Sequence, residues 1–184
     1  MTSANFNLQP EILENETIKL IPLQEDHFEA LYELASDPLV WEQHPIKDRY
    51  KKEKFMPFFE AAVNSKGAFL ILDRKTNEVI GTTRFYDYNP EKFNVGIGYT
   101  FIGRKFWGGP YNAATKKLLI DYAFETVSSI LFHVGAENIR SQKAVLKLGA
   151  VKINEMFFPH NGVDLPHFEY ELRKEKVKNE YFCS

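Results

Sequence analysis

The stretch that decides the fold is VGIGYTFIGRKFWGGPYNAATKK, residues 95–117. Its first part, up to Ile102, has the pattern of a strand, and from Thr115 onward the apolar residues recur with helical spacing. The turn between them is rich in glycine. Such a turn, where it leads into a helix, exposes unpaired backbone N–H groups beside the positive end of the helix dipole. The stretch therefore suits a phosphate or pyrophosphate, and a turn without a ligand is the simpler alternative.

Two nucleotide-binding motifs do not fit this turn. Gly103 and Gly108 have the separation of P-loop glycines, but Gly109 and Pro110 stand where that motif needs Lys and Ser or Thr. The dinucleotide fingerprint G-x-G-x-x-G is missing here, and the preceding elements form a meander instead of a βαβ unit. The sequence argues against a nucleoside triphosphatase and against a dinucleotide-binding enzyme.

Hydrophobic periodicity predicts the other elements, outward from this stretch. The strand before the turn closes an antiparallel meander, and the helix after it leads to a short buried strand. In the second predicted helix, Pro57 must either begin the helix or bend it. The predicted strands are residues 17–23, 68–73, 79–86, 93–102, 130–134, 151–158 and 167–173. The predicted helices have apolar faces within residues 28–35, 55–63, 115–123 and 138–148.

This order of elements predicts an α/β (α+β) fold, with a mixed, mostly antiparallel central sheet flanked by about four helices. A length of 184 residues fits a single domain, and 44% hydrophobic residues supply material for its core. Lysine and arginine number 23 against 25 aspartates and glutamates, and this near balance argues against nucleic-acid binding.

Targeting and redox signals are also missing from the sequence. No apolar run approaches the roughly 20 residues of a membrane-spanning helix, and residues 1–10 do not resemble a signal peptide. The only cysteine, Cys183, allows no internal disulfide and no cysteine zinc site. We therefore expect a soluble, cytoplasmic protein without membrane or nucleic-acid partners, which is either a monomer or a homodimer.

A second informative motif covers residues 137–150. Asn138 is a good helix N-cap, and Ser141 shares its face of the helix at a spacing of three. Lys143 and Lys147 share another face. Taken alone, the motif is better described as a capped surface helix with solvated lysines.

Taken together, four segments resemble the GCN5-related N-acetyltransferases (the GNAT family). They are Ile97-Gly98-Tyr99, residues 107–112, residues 119–124, and Asn138-x-x-Ser141 followed by Lys147-Leu148-Gly149-Ala150. The nearest branch is the one that includes the ribosomal-protein N-terminal acetyltransferases of the L7/L12 type. The resemblance implies the GNAT fold and a single N-acetyltransferase domain over residues 1–184, with its core at about 17–173.

The resemblance implies acetyl-CoA as the cofactor and a primary amine as the acceptor, either a protein N-terminus or a small molecule. The amine would attack the thioester directly. The end of the strand would hold the pantetheine arm, the amides of the glycine turn would hold the pyrophosphate, and Asn138 and Ser141 would face the thioester. The implied cofactor-binding residues are Phe101, Ile102, Lys105, Trp107, Gly108, Gly109, Pro110, Tyr111, Asn112, Asn138, Ser141 and Lys143.

Three positions depart from the family pattern. Pro110 replaces the second small residue of the turn, Gly96 stands where many relatives have an acidic residue, and Val145 stands where a tyrosine is often the general acid. These departures motivate an alternative from another functional class, a regulatory module that binds CoA through the GNAT fold with little or no turnover.

Catalysis needs a base, because a lysine amine has a pKa of about 10.4 and an α-amino group one of about 7.7 to 8.0. His133 is the first candidate for the base, although a histidine on an apolar strand is more often a hydrogen-bonded core residue. Glu137 and Glu155 are alternatives, and each would also be an ordinary solvated charge. Ser141 is the remaining hydroxyl that could protonate the leaving thiolate.

The acceptor side is assigned by family analogy. Residues 41–44 and the predicted loop 157–167 would flank the acceptor, and we expect Trp41, His44 and Tyr99 to bind it. Aromatic and acidic groups there could receive a cationic amine, or they could be ordinary loop anchors. His160, Asp164 and His167 lie in the same predicted loop, but without a fourth ligand or regular spacing we expect no metal site.

Overall fold

The computed structural model describes residues 5–178 and Phe182. Cys183 lies outside the described residues. The strands are β1 Leu13–Glu14, β2 Ile18–Pro22, β3 Ala68–Asp73, β4 Val79–Asn89, β5 Asn94–Ile102, β6 Ser129–Gly135, β7 Val151–His160 and β8 Val163–Arg173. The helices are α1 Phe28–Ala35, α2 Lys52–Asn64, α3 Tyr111–Ala123 and α4 Ile139–Leu148. In the described part of the chain, no helix is both long and apolar enough to cross a membrane.

The strands form one sheet in the order β1-β2-β3-β4-β5-β6-β8-β7. Only β5 and β6 are parallel, and they pair at three positions, from Asn94 with Ser129 to Gly96 with Leu131. Beyond Gly96 the two strands stop pairing, while β4 continues along β5 and β8 continues along β6. The sheet is therefore open between the C-terminal halves of β5 and β6.

Each face of the sheet has its own core. The first core lies under α3 and α4 and includes Leu119 and Leu148, and the second lies under α1 and α2 and includes Leu31 and Phe59. The predicted mixed, mostly antiparallel sheet flanked by four helices is confirmed.

Strand β5 contains one extra residue at its centre. Gly98 pairs with Arg84 and Phe101 pairs with Thr82, so Tyr99 and Thr100 together face the single residue Thr83. This bulge puts Tyr99 in the left-handed region, with φ of 51°, which is uncommon for a residue with a side chain. Consequently Phe101 belongs to the core under α1 and α2, whereas its neighbour Ile102 belongs to the core under α3 and α4.

The structure corrects or completes the sequence predictions at three places. Residues 157–167 are not a loop, because β7 runs to His160, β8 starts at Val163, and only Asn161-Gly162 lies between them. The two-residue strand β1, which pairs with β2, was missed because such a short segment has no readable periodicity. Pro57 lies inside α2, five residues after its start, so it does not begin that helix.

The strands β7 and β8 also separate the side chains that we considered as metal ligands. Pro159 pairs with Asp164 and Met156 pairs with His167. His167 therefore lies three residues along β8 from Asp164, roughly 10 Å at about 3.3 Å per residue. Within the described residues, no group of three or more His, Cys, Asp or Glu side chains could hold a metal ion.

Candidate functional site

A cavity of about 360 Å³ occupies the opening between β5 and β6. Its walls come from residues 40–49, from α2, from β5 and the turn after it, and from α3, β6 and α4. A hydrogen bond from the Arg140 amide to the Gln43 side chain, 3.1 Å long, ties the loop after α1 to the start of α4. Segments distant in sequence thus close around a single cavity.

The glycine turn lies at one end of this cavity and leads into α3. Gly108 has φ of 77°, the left-handed conformation that glycine adopts without strain. Pro110 is helical, at φ −77° and ψ −9°, and its carbonyl accepts the amide of Ala114, so a missing N–H at this position costs nothing. Among the described residues no acceptor exists for the backbone N–H groups of Gly108, Gly109, Tyr111, Asn112 and Ala113. We call these five groups the amide cradle.

Eight of the twelve predicted cofactor-binding residues line the cavity: Phe101, Ile102, Trp107, Gly108, Gly109, Asn112, Asn138 and Ser141. Trp107 also closes the turn, because its indole N–H donates to the Ile102 carbonyl at 2.8 Å. Lys105, Pro110, Tyr111 and Lys143 are not part of the wall. Lys105 instead pairs with Glu78 at 2.5 Å, and the Tyr111 hydroxyl donates to Asp73 at 2.9 Å.

Arg140 is a cavity residue that sequence reasoning missed. Its guanidinium lies 4.1 Å from the centre of the Trp107 ring, so it is held beside the amide cradle. Lys143, which we predicted to contact the cofactor, is exposed one turn away. The rotation of α4 about its axis places Arg140, and not Lys143, in the cavity wall. The spacing of the lysines in the sequence does not reveal that rotation.

The start of α4 forms as its sequence indicates. The Asn138 side chain accepts the Ser141 amide at 3.1 Å, which is a helix N-cap. The Ser141 hydroxyl lines the cavity and has no hydrogen-bond partner among the described residues. Val145 lines the cavity one turn further on.

Lys116 is a buried charge in the same cavity and was also missed. Its Nζ lies 3.3 Å from Thr100 Oγ1, and burial lowers the pKa of this amine to about 8. A helical signal was available, because Lys116 precedes the buried Ile120 by four residues and Ala123 by seven. Its neighbour Lys117 is exposed and pairs with Asp121 on the solvent side of the helix.

His133 lines the cavity from β6 and has a partner on each ring nitrogen. Its Nε2 lies 3.1 Å from Glu169 Oε1, and its Nδ1 lies 2.7 Å from the Tyr86 hydroxyl. A carboxylate only accepts, so Nε2 carries the proton, and in the neutral ring Nδ1 then accepts from Tyr86. Burial raises the pKa of Tyr86, so this hydroxyl stays protonated. Sequence reasoning found His133 but neither partner.

Gly96 explains how Tyr86 reaches across the sheet. A Cβ at position 96 would lie 2.5 Å from the Tyr86 ring, well inside any real contact. The missing side chain therefore makes room for the phenol, whose hydroxyl then bonds to His133. The departure that removed an acidic residue from β5 is thus also what brings Tyr86 to the histidine.

The two glutamates considered as bases lie elsewhere. Glu137 is exposed near Lys47, with 3.8 Å between the charged atoms, and Glu155 pairs with Lys152 at 2.5 Å. Neither lines the cavity.

The three residues expected to bind the acceptor all line the cavity wall. Trp41 is buried and its indole N–H donates to the Ala35 carbonyl at 2.7 Å, so it offers the cavity only an apolar ring. His44 accepts the Ile46 amide on Nδ1 at 2.9 Å. Tyr99, raised by the bulge in β5, leaves half of its surface exposed. His167 joins the wall from β8, but Phe157, which we also expected there, does not.

Comparison with known proteins finds the same architecture. A family model described as the acetyltransferase (GNAT) domain matches residues 17–151. The uncharacterized N-acetyltransferase p20 of Bacillus licheniformis is 30% identical over 118 residues, which is 63% of this chain and 60% of that protein. The aligned part therefore spans less than two thirds of this curated relative.

Two solved structures share the fold. A GCN5-related N-acetyltransferase from Brucella melitensis superposes with a TM-score of 0.80 at 17% identity, covering 97% of this chain and 89% of that one. The microcin C7 self immunity acetyltransferase MccE, in complex with acetyl-CoA and AMP, superposes with a TM-score of 0.71 at 16% identity, covering 92% of this chain and 99% of that one. At these identities the likeness shows the fold alone.

Proposed function

This chain belongs to the family of acetyltransferase (GNAT) domains, and from that premise we propose that it is an acetyl-CoA-dependent N-acetyltransferase acting on a primary amine. The amide cradle carries this proposal. Five unpaired N–H groups at the positive end of α3, with the Arg140 guanidinium beside them, form a site for a diphosphate. The cavity leads from that site to His133, Ser141 and Lys116, the polar groups that an acyl transfer needs.

The residues present fit coenzyme A. The amide cradle and Arg140 would hold the pyrophosphate, and Phe101 and Ile102 at the end of β5 would line the path of the pantetheine arm. When bound, acetyl-CoA supplies the acetyl group as a thioester. MccE was solved with acetyl-CoA, which supports the same donor here. Acetyl-CoA is an intracellular thioester, so the proposal also places the reaction in the cytoplasm.

We assign the base to His133. The carboxylate of Glu169 fixes the Nε2–H tautomer and stabilises the imidazolium, as a buried carboxylate does in a catalytic triad. The lone pair on Nδ1 then takes the proton of the acceptor amine. Because Tyr86 already donates to Nδ1, the phenol must either move aside or relay the proton, taking one from the amine while giving its own to the ring.

The leaving thiolate requires a proton. Val145 has none to give, but Ser141 Oγ and Lys116 Nζ both line the cavity. The lowered pKa of Lys116, about 8, makes its ammonium a better acid than a solvated lysine near neutral pH. We assign this protonation to Lys116, with the Ser141 hydroxyl as the second donor.

The acceptor class is the finer part of the proposal. The resemblance to ribosomal-protein N-terminal acetyltransferases favours a protein α-amine, and a small-molecule amine is the other option. The positive charge of Arg49 and Arg84 on the acceptor side favours the small molecule.

Thermal unfolding with CoA tests the donor site. A ligand at 100 times its Kd stabilises the folded state by about 2.7 kcal/mol, so millimolar CoA should raise Tm by several degrees. No shift in Tm would remove CoA, and the proposed function with it. A clear shift in Tm, followed by no release of free thiol from acetyl-CoA with a broad amine panel, would favour the regulatory CoA-binding module instead.

A further inference from the structure

The acceptor side of the cavity contains two arginines, the half-buried Arg49 and the buried Arg84. Arg49 lines the cavity, and Arg84 lies behind the wall, where it is 7% exposed. Neither forms an ion pair within the described residues, and Arg84 Nε and Nη2 have no hydrogen-bond partner there. A buried cation without a counter-ion is costly, so unpaired arginines are rarely retained without a purpose.

The two guanidiniums share the same aromatic surroundings. Arg84 lies 4.1 Å from the centre of the Tyr99 ring, and Arg49 lies 4.4 Å from the centre of the Phe58 ring. Arg84 is also 6.0 Å from the Phe58 ring. Burial, with a smaller contribution from the charge of Arg84, lowers the pKa of Arg49 to about 10. The arginines therefore combine into one positive region behind Tyr99 and Phe58.

Two hydrogen-bond donors face each other beside Arg49. The Ile46 amide donates to His44 Nδ1, so the neutral ring must carry its proton on Nε2. Burial and the neighbouring Arg49 lower the pKa of His44 to about 3, so this ring is neutral. Its Nε2–H then faces Arg49 Nη1 at 3.2 Å, and a guanidinium can only donate. Two donors thus face each other without an acceptor. They are too close for an oxygen to lie between them, but an anionic oxygen beside the pair would accept from both once the two groups turn toward it.

We propose that the acceptor is a small primary amine that also carries an anionic group, a carboxylate or a phosphate, which binds to Arg49 and His44 Nε2 with Arg84 behind them. The inference rests on the proposed acetyltransferase function and names its substrate class. A protein N-terminus fits less well, because its α-carboxyl is consumed in the peptide bond. Asp48, the acidic side chain next to Arg49 in the chain, makes no ion pair with it among the described residues and so leaves that guanidinium available.

Matched acceptor pairs test the proposal. The first arm compares ω-amino carboxylates of two to six carbons with their primary amides, and the second compares aminoalkyl phosphates with the corresponding amino alcohols. We expect one chain length of the carboxylate or the phosphate arm to exceed its neutral partner in kcat/KM by about 10- to 100-fold, the range of a hydrogen bond to a charged group. The arm with the larger ratio identifies the anion.

Substitutions of the two arginines then test whether they cause the preference for the anionic amine. Arg49→Gln should reduce the ratio within the best pair to near one, chiefly through a higher KM for the anionic amine, and an undiminished ratio would contradict the assignment. Arg84→Met should reduce the ratio by less and leave Tm unchanged or raised, because it removes an uncompensated buried charge. The matched control is Arg74→Gln, at an exposed ion pair with Glu14, which should change neither quantity.

A binding readout accompanies the kinetics. The best anionic amine should raise the Tm of the CoA-saturated protein, where no transfer can occur, and its neutral partner should not. Equal kcat/KM within every pair, or a peptide N-terminus acetylated faster than any anionic amine, would overturn the inference while leaving the acetyltransferase function intact. Failure of CoA itself to raise Tm would instead overturn the proposed function.

Discussion

The two ends of the cavity differ in the part of the chain that they present to a ligand. At the α3 end, recognition rests on backbone N–H groups from five nearly consecutive residues, with Arg140 added beside them. At the acceptor end, it rests on side chains from separate segments: His44 and Arg49 from the loop after α1, Arg84 from β4 and Tyr99 from β5.

This difference explains why the α3 end could be predicted from the sequence and the acceptor end could not. A backbone site needs only a turn that leads into a helix, so it tolerates changes such as Pro110 and leaves a local motif. A side-chain site depends on contacts between distant residues and leaves no motif. Under the proposed function, the α3 end is the donor end, and we expect the specificity of this chain to lie in the side chains of the acceptor end.

The sharpest test of the acceptor end is His133→Gln. Loss of a general base typically costs about 10²- to 10⁴-fold in rate, and the deficit should shrink at high pH, where the amine is already neutral. The measurement is kcat/KM between pH 6 and 10. Tyr86→Phe distinguishes the two proton paths, because it should cost nearly as much if the phenol relays the proton and little if the phenol only moves aside. A pH profile of His133→Gln parallel to that of the wild type would exclude the imidazole as base.

Lys116→Met tests how far the buried amine of Lys116 destabilises the fold of the ligand-free protein. The amine of Lys116 has a lowered pKa of about 8 in the folded state, against a reference of 10.5. Below pH 8 its burial therefore destabilises the fold by on the order of 3 kcal/mol. Between about pH 8 and 10.5 the unfolded chain binds more protons, so wild-type stability rises with pH in that window.

The variant should accordingly be more stable than the wild type at pH 7, and this advantage should disappear near pH 10.5. Urea unfolding at both pH values measures the difference. Lys117→Met, which alters the exposed neighbour paired with Asp121, is the matched control and should change stability by less than about 0.5 kcal/mol. An advantage independent of pH would mean that methionine simply packs better.

Gly108→Val tests whether the backbone geometry of the donor end matters. No atom lies within 4 Å of a Cβ at this position, so the cost comes only from φ of 77°. Strain of about 2 kcal/mol corresponds to roughly a 30-fold loss of CoA affinity. Gly162→Val, with φ of 79° and equally open space in the β7–β8 turn, should lose similar stability and keep its affinity for CoA. Equal CoA titrations for both variants would refute the cradle.

Ser141→Ala should have the smallest effect. Its hydroxyl has no described partner, and Lys116 remains to protonate the thiolate, so we expect a fall of about 5- to 10-fold in kcat with little change in CoA affinity. Ser141→Thr keeps the hydroxyl and should retain most of the rate. Equal losses in kcat and in CoA affinity would mean that the hydroxyl only positions the cofactor.

Local patterns predicted most of the fold. The meander, both helices around the cavity and the N-cap at Asn138 depend on periodicity and on capping chemistry, which act between near neighbours in the chain. Both strands of the β7–β8 hairpin were predicted, but its tip was predicted as a longer loop because Pro159, Pro166 and the polar residues between them have the composition of one. The edge strand β7 tolerates Pro159, since the edge of a sheet does not require every N–H to donate.

At the candidate site, contacts between residues distant in the chain could not be predicted from the sequence. His133 was identifiable as a titratable residue on an apolar strand, but its partners Tyr86 and Glu169 lie 47 and 36 residues away. In the sequence Arg84 has the pattern of an ordinary strand arginine, and only the fold shows that two of its guanidinium nitrogens have no hydrogen-bond partner in the described part of the chain. The assignment of roles inside the cavity stays a prediction until the variants are measured.

The extra residue in β5 decides which of the two cores the side chains after it join. Val95 and Ile97 face the core under α3 and α4, and strict alternation would send Phe101 to the same face. Because the bulge intervenes, Phe101 faces α1 and α2 instead. Deleting one residue between Gly98 and Phe101 would turn Phe101 toward the core under α3 and α4, and Ile102 toward the core under α1 and α2. For the evolution of this chain, the length of β5 is therefore as constrained as its composition, and an insertion or deletion that a surface loop would absorb is excluded here.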